Sequence, residues 1–311
     1  MIDAQNLTKR YRQKTAVDGI SFTVQPGMVT GFLGPNGAGK STTMRMIVGL
    51  DHPTTGHVDV NGQPYHKHKA PLAEVGSLLE AKAVHPGRSA YAHLSALAAT
   101  HGISKKRIDE VIDLTGLSGV AKKRVGGFSL GMGQRLGMAV ALLGDPKTLI
   151  LDEPVNGLDP EGVLWVRNLV RYLASQGRTV FLSSHLMSEM TQTADHLIVI
   201  GRGRILADSP IKDVIQGSGG SYTRVVTDEP ERLEGLLNGS GAGVRRTDGY
   251  LEVTETDQRT IARTALDNRI LIWELTPVTA SLEDAYMRLT RDDVEFTSLD
   301  LSDAVEEGSQ S

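Results

Sequence analysis

The chain has 311 residues, a length that suggests about two domains, with 40% apolar residues, enough for substantial cores, and an ordinary charged fraction of 23%. A formal net charge of −4 argues against a protein held mainly by nucleic-acid phosphates, and the lack of any cysteine excludes disulfides, Cys-ligated zinc and iron–sulfur centres. No apolar run approaches the roughly 20 residues that cross a bilayer, and Met1–Gln5 passes straight into polar Asn6–Arg12, unlike a secretory signal, so any work at a membrane would be peripheral.

In chain order, Ile2–Leu7, Ser21–Val24 and Val29–Leu33 read as strands, and a helical segment Ser41–Gly49 follows a Gly-rich loop. From about 85 to 145 the strand signal gives way to helical faces, with Tyr91, Leu94 and Leu97 on one and Ile108, Val111, Ile112 and Thr115 on another. These stripes need no explanation beyond core packing. Short apolar runs at Thr148–Leu151, Thr179–Ser183 and His196–Ile200, with helical patterns between them, predict a mostly parallel sheet covered on both faces. This first part spans about 1–217.

A second part, 221–290, changes style. Strand-like Ser221–Thr227, helix-like Glu231–Leu237, strands Gly243–Thr247 and Tyr250–Thr254 around an Asp248-Gly249 turn, helix Asp257–Asp267 and strand Ile270–Leu275 give the order βαββαβ. That order predicts a small ferredoxin-like α+β unit. Ser281-Leu-Glu-Asp284 then reads as a capping box opening a last helix. The remaining 291–311 carry seven acids against one base and are expected to be disordered.

Gly34-Pro35-Asn36-Gly37-Ala38-Gly39-Lys40-Ser41 matches the phosphate loop G-x-x-x-x-G-K-[ST], with a strand before it and a helix after. Such glycines let backbone N–H groups close around phosphates at a helix N-terminus. Lys40 is expected to reach the β- and γ-phosphates and Ser41 to ligate Mg²⁺. Asp152-Glu153 ends the run Thr148–Leu151 at the carboxyl edge of the sheet, where ligands lie in open α/β folds. Asp152 suits Mg²⁺, and Glu153 suits polarising an attacking water. His66-Lys-His68 could place two imidazoles on one strand face, but no third ligand is near, and 61–69 reads as a solvated loop or hairpin.

The stretch Phe128-Ser129-Leu130-Gly131-Met132-Gly133-Gln134-Arg135 lies between that loop and Leu149-Ile-Leu-Asp-Glu-Pro154. Its small residues Ser129 and Gly131, where a new helix begins, offer a second set of phosphate contacts. Together these motifs resemble the ATP-binding cassette of ABC transporters over about residues 1–217. The resemblance implies a P-loop NTPase cassette, a RecA-like core with antiparallel β and α-helical subdomains. It further implies that Thr42 joins the loop in holding nucleotide, that Tyr11 stacks on adenine, and that His185 contacts the γ-phosphate. Asn156-Gly-Leu-Asp159 resembles the loop that touches the opposite subunit, with Asp159 beside the nucleotide.

Two departures bear on mechanism. The family commonly reads L-S-G-G-Q where this chain has Phe128–Met132, and similar S-L-G-M sequences occur in a subgroup resembling antibiotic-resistance and export ATPases. At Leu78-Leu79-Glu80 the family usually places a glutamine; Glu80 can still offer an oxygen to Mg²⁺ or water while adding negative charge. The resemblance implies ATP and Mg²⁺ as cofactors and a head-to-tail homodimer in which Ser129 and Gly131 serve the ATP of the other copy. It also implies a separate membrane permease at the cytoplasmic face and export of a drug, antibiotic or other hydrophobic compound, with no nucleic-acid partner. Beyond 221, the βαββαβ unit and Ser281-Leu-Glu-Asp-Ala-Tyr286 look like the C-terminal extension of ABC ATPases paired with drug or antibiotic export permeases. The competing readings are a soluble ABC-type ATPase acting on ribosomes or DNA, disfavoured by a single cassette without long insertions, and a regulatory ATPase without transport.

Overall fold

The computed structural model describes residues 1–80, 84–217, 221–247, 249–278 and 281–290. The chain divides into two compact units, one of Met1–Pro210 with Leu289 and Thr290 among the described residues, the other of Ile211–Arg288.

The first unit begins with strands β1 (Ile2–Tyr11), β2 (Lys14–Val24) and β3 (Val29–Leu33), helix α1 (Lys40–Ile47) and strand β4 (Thr55–Val60). Then come α2 (Pro71–Glu74), β5 (Val75–Leu78), α3 (Ala90–Thr100), α4 (Lys105–Leu114), α5 (Leu130–Leu142) and β6 (Thr148–Leu151). It ends with α6 (Pro160–Ser175), β7 (Thr179–Ser183), α7 (Met187–Thr193), β8 (His196–Gly201) and β9 (Arg204–Pro210). Six strands form one sheet in the order β5-β6-β7-β3-β8-β9, parallel except for β9. A second, antiparallel sheet has the order β2-β1-β4.

Every residue of β3, β6 and β7 is buried, as continuous apolar runs in the middle of a doubly covered sheet require. The two sheets meet through Phe22, Phe32 and Phe181, whose ring centroids lie 5.1–6.1 Å apart. This core fixes the carboxyl ends of β3, β6 and β7 side by side, which positions the site. Among the described residues of 85–145 the regular elements are helical, with Leu94, Ile108, Val111, Ile112 and Thr115 buried.

The strands the sequence left short or unread are β1 beyond Leu7, β2 before Ser21, β4, β5 and β9. In β9 most side chains remain partly or fully exposed, and β4 buries only Val58 and Val60, so neither leaves a long apolar run in the sequence. The stretch 61–69 holds a short 3-10 turn at Tyr65–Lys67. His68 is engaged at both ring nitrogens, with the Val60 carbonyl and the Gln63 side chain, each at 2.9 Å.

The second unit holds α8 (Ile211–Gly217), β10 (Tyr222–Thr227), α9 (Pro230–Gly239), β11 (Gly243–Thr247), β12 (Tyr250–Thr254), α10 (Gln258–Asp267), β13 (Ile272–Val278) and most of α11 (Leu282–Thr290). The sheet order β11-β12-β10-β13, antiparallel throughout, is the ferredoxin-like arrangement. Its core gathers Val225, Leu233, Leu237, Leu251, Val253 and Ile261. The Ser281 hydroxyl accepts from the Asp284 N–H, as a capping box predicts. The compact division falls after Pro210, so α8 groups with this unit, whereas the sequence placed it at the end of the first part. The acidic stretch 291–311 lies outside the described residues, and so does Asp248.

Candidate functional site

Strand β3 delivers the chain at Leu33 into the glycine-rich loop, and Gly39 turns it into α1. Gly39 has φ of +111°, and a Cβ there would meet the Ala16 carbonyl oxygen at 2.5 Å, so both backbone conformation and space demand glycine. The loop residues Pro35, Asn36, Gly37 and Ala38 line a pocket of about 210 Å³ with Lys14, Thr15, Ala16 and Arg202. Lys40, 9% exposed, donates from Nζ to the carbonyls of Gly34 at 2.7 Å and Pro35 at 3.2 Å. Burial pushes the Lys40 pKa down, and the neighbouring Glu153 and Asp152 carboxylates oppose that shift.

Strand β6 brings Asp152 and Glu153 against this loop. One oxygen of Asp152 accepts from the Ser41 hydroxyl at 2.6 Å, and the other accepts from the Ser183 hydroxyl at the end of β7. A hydroxyl and a carboxylate side by side form a hard oxygen donor pair that fits Mg²⁺, which takes few protein ligands and completes its shell with phosphate and water oxygens. Among the described residues no group of three or more His, Asp or Glu is arranged to hold a metal. Glu153 has φ of +50°, a left-handed conformation that costs a non-glycine residue about 1–3 kcal/mol and persists where neighbours enforce it. Its N–H donates to Ser183 Oγ at 3.0 Å, and its carboxylate meets His185 Nδ1 at 2.7 Å.

Glu80 lines an open cleft of about 470 Å³ together with Ser41, Arg45, His93, Leu97 and Asp152. The sequence-predicted Glu80, Ser41 and Asp152 thus share one cavity. Tyr11 ends β1 and donates to Asp51 at 3.0 Å, an acceptor shared with Arg45 Nε at 2.8 Å, and its hydroxyl also meets the Thr42 side chain. Burial, followed by Asp51, raises the Tyr11 pKa. The Lys9 ammonium stands 4.9 Å from its centroid.

Ser129, Gly131 and Asp159 have different neighbours. Ser129 caps α5 by accepting from the Met132 N–H, and Asp159 caps α6 by accepting from the Gly162 N–H at 2.9 Å. A Cβ on Gly131 would come within 3.1 Å of the Gly157 carbonyl oxygen, and the Leu130 side chain fills the space a Cβ on Gly157 would need. The start of α5 is therefore packed on the 156–159 loop of its own chain, with Ser129 and Leu130 exposed. Sequence reasoning missed two residues. Ser183 ties Asp152 to Glu153, and Gln134, 4% exposed, donates to the Glu153 carbonyl at 2.9 Å. Gln134 lies inside the diagnostic stretch 128–135, and Ser183 directly precedes Ser184-His185, so position in the motifs was the available signal.

Residues 17–156 match the family described as ABC transporter, and residues 221–283 match a domain of unknown function, DUF8746. An uncharacterized ABC transporter ATP-binding protein of Bacillus subtilis is 36% identical over 93% of this chain and 96% of its own length. The bacitracin transport ATP-binding protein of Bacillus licheniformis is 45% identical over 68% of this chain and 70% of its own. The linearmycin resistance ATP-binding protein of Bacillus subtilis is 37% identical over 71% and 72%. Among solved structures, the dimeric structure of a bacterial ABC transporter cassette superposes with a TM-score of 0.63 at 23% identity, covering 68% of this chain and 98% of that one.

Proposed function

The chain belongs to the ABC transporter ATP-binding family, and from that premise we propose that it is an ATP-hydrolysing subunit that closes head to tail on a second copy and drives a separate membrane permease. One observation carries this reading. The loop residues Lys40 and Ser41 converge with Asp152, Glu153 and His185, whereas Ser129 and Leu130, at the start of α5 where it packs on Gly157, remain exposed. A second copy can then supply that end to the γ-phosphate. The cassette solved as a dimer shares this fold, which supports the assembly.

In the proposed reaction, the loop N–H groups and the start of α1 receive the phosphates, and Lys40 exchanges its carbonyl partners for phosphate oxygens. Ser41 and Asp152 would hold Mg²⁺, with Glu80 contributing an oxygen across the shared cleft; the ion supplies neutralisation of charge on the β- and γ-phosphates. Glu153 takes a proton from water as the water oxygen bonds to the γ-phosphorus and the bond from that phosphorus to the β–γ bridging oxygen breaks, the oxygen leaving with ADP. His185 orients Glu153 through Nδ1 and can turn Nε2 toward the γ-phosphate. Loss of the γ-phosphate removes the contacts that hold the two copies together, so ATP favours the closed dimer and ADP the open one.

The bacitracin and linearmycin relatives support an antibiotic or hydrophobic drug as the exported compound. No helix among the described residues is long and apolar enough to cross a membrane, so the proposed location is peripheral, on the permease at the cytoplasmic face. Light scattering tests the assembly: ATP with Mg²⁺ withheld should double the mass, and ADP should not. Purification from the native membrane should bring down a multi-span protein; ribosomes or DNA in its place would overturn the transport reading.

Glu80 gives a separate test. Glu80→Ala should lower Mg²⁺-dependent turnover about tenfold, equivalent to about 1.4 kcal/mol of barrier. An unchanged Mg²⁺ titration would return Glu80 to an ordinary surface acid.

A further inference from the structure

Helix α5 reaches the Glu153 of its own chain. Gln134, one turn in from Leu130, donates from Nε2 to the Glu153 main-chain oxygen at 2.9 Å. The same oxygen accepts the Asn156 N–H at 3.1 Å, while the Glu153 N–H is held by Ser183. These bonds grip both sides of a residue whose φ is +50°. A left-handed glutamate relaxes when its grip loosens, and relaxation would swing the carboxylate away from His185 and from the phosphate loop. Gln134 is the one side chain on α5 with a hydrogen bond to this residue among the described contacts. At its first residue α5 also presses Leu130 onto Gly157, so two points of one rigid helix hold the 153–157 segment.

We propose that Gln134 is a positioning residue for Glu153: it fixes the left-handed main chain that aims the carboxylate, and it ties the base to the helix that carries Ser129. The proposal rests on the reading of Glu153 as the base. In this role Gln134 acts through the Glu153 peptide, which its Nε2 reaches at 2.9 Å. The Glu153 carbonyl keeps Asn156 as a partner when Gln134 is changed, so the loss falls on aim rather than on hydrogen-bond satisfaction.

The test is Gln134→Leu in the full chain, with Gln134→Met as a second volume-conserving variant should the first fold poorly. Misplacing a reacting group by about 1 Å costs up to about 10²-fold, so kcat should fall about 10- to 100-fold. The KM for ATP and the ATP-driven dimer should change by less than about twofold, because ground-state binding is untouched. Mixed dimers locate the effect. With one copy carrying Glu153→Gln, a single base remains; Gln134→Leu placed in the copy that keeps Glu153 should abolish most of the remaining turnover. Placed in the other copy it should leave that turnover unchanged. Equal losses from both placements, or a raised KM with wild-type kcat, would overturn the proposal. Wild-type turnover by Glu153→Gln alone would instead sink the base assignment on which it rests.

Discussion

Glu153→Gln is expected to lower ATP turnover by about 10²–10⁴-fold, the usual share of general-base catalysis, while ATP-loaded dimers accumulate. The substitution keeps the shape of the side chain and a hydrogen bond to His185, whose Nδ1 lies 2.7 Å from the carboxylate. It replaces the basic carboxylate with a neutral amide that cannot take a proton from water. Binding should survive, because Lys40, Ser41 and Asp152 are unchanged and form their own contacts. The signature is thus a lowered kcat with a retained KM, together with a dimer that persists with Mg²⁺ present. Wild-type kcat in a steady-state phosphate-release assay would refute the assignment.

Lys40→Met should eliminate ATP binding without unfolding the chain. Lys40 is almost wholly buried, and burial depresses its pKa despite the nearby Asp152 and Glu153. A group whose folded pKa lies below its unfolded value costs stability where it is protonated in both states, and that cost shrinks as pH rises through the folded value. Met removes the buried charge and also the bonds to the Gly34 and Pro35 carbonyls, so the two changes oppose each other and the nucleotide-free thermal midpoint should move only slightly. The difference appears with ligand. At 100 times Kd, ATP stabilises a binding-competent protein by about 2.7 kcal/mol, or roughly 5–10 °C for a domain of this size. That rise should vanish in Lys40→Met. A rise of wild-type size would show that Lys40 does not hold the phosphates.

The antiparallel sheet shows why part of the fold was hard to read. Its strands bury one face, tolerate register shifts between β1 and β2, and carry polar residues such as Lys9, Arg10 and Lys14, so periodicity fades beyond Leu7. Parallel strands β3, β6 and β7 bury both faces and are plain apolar runs. The ferredoxin-like unit was legible because its strands and helices alternate with clear turns, and its sheet order follows the topology expected of βαββαβ.

Local order alone determined the loop 34–41, the Asp152-Glu153 pair at a strand end, and the stretch 128–135, because phosphate binding and strand termini demand particular residue types at fixed spacing. Tertiary structure alone decided that Ser41 and Ser183 share Asp152, that Glu80 opens on their cleft, and that Gln134 grips the Glu153 carbonyl. Those contacts join residues from 19 to 111 positions apart. Periodicity and motif spacing describe neighbours along the chain; which distant carbonyl a buried amide meets is set by how the core packs.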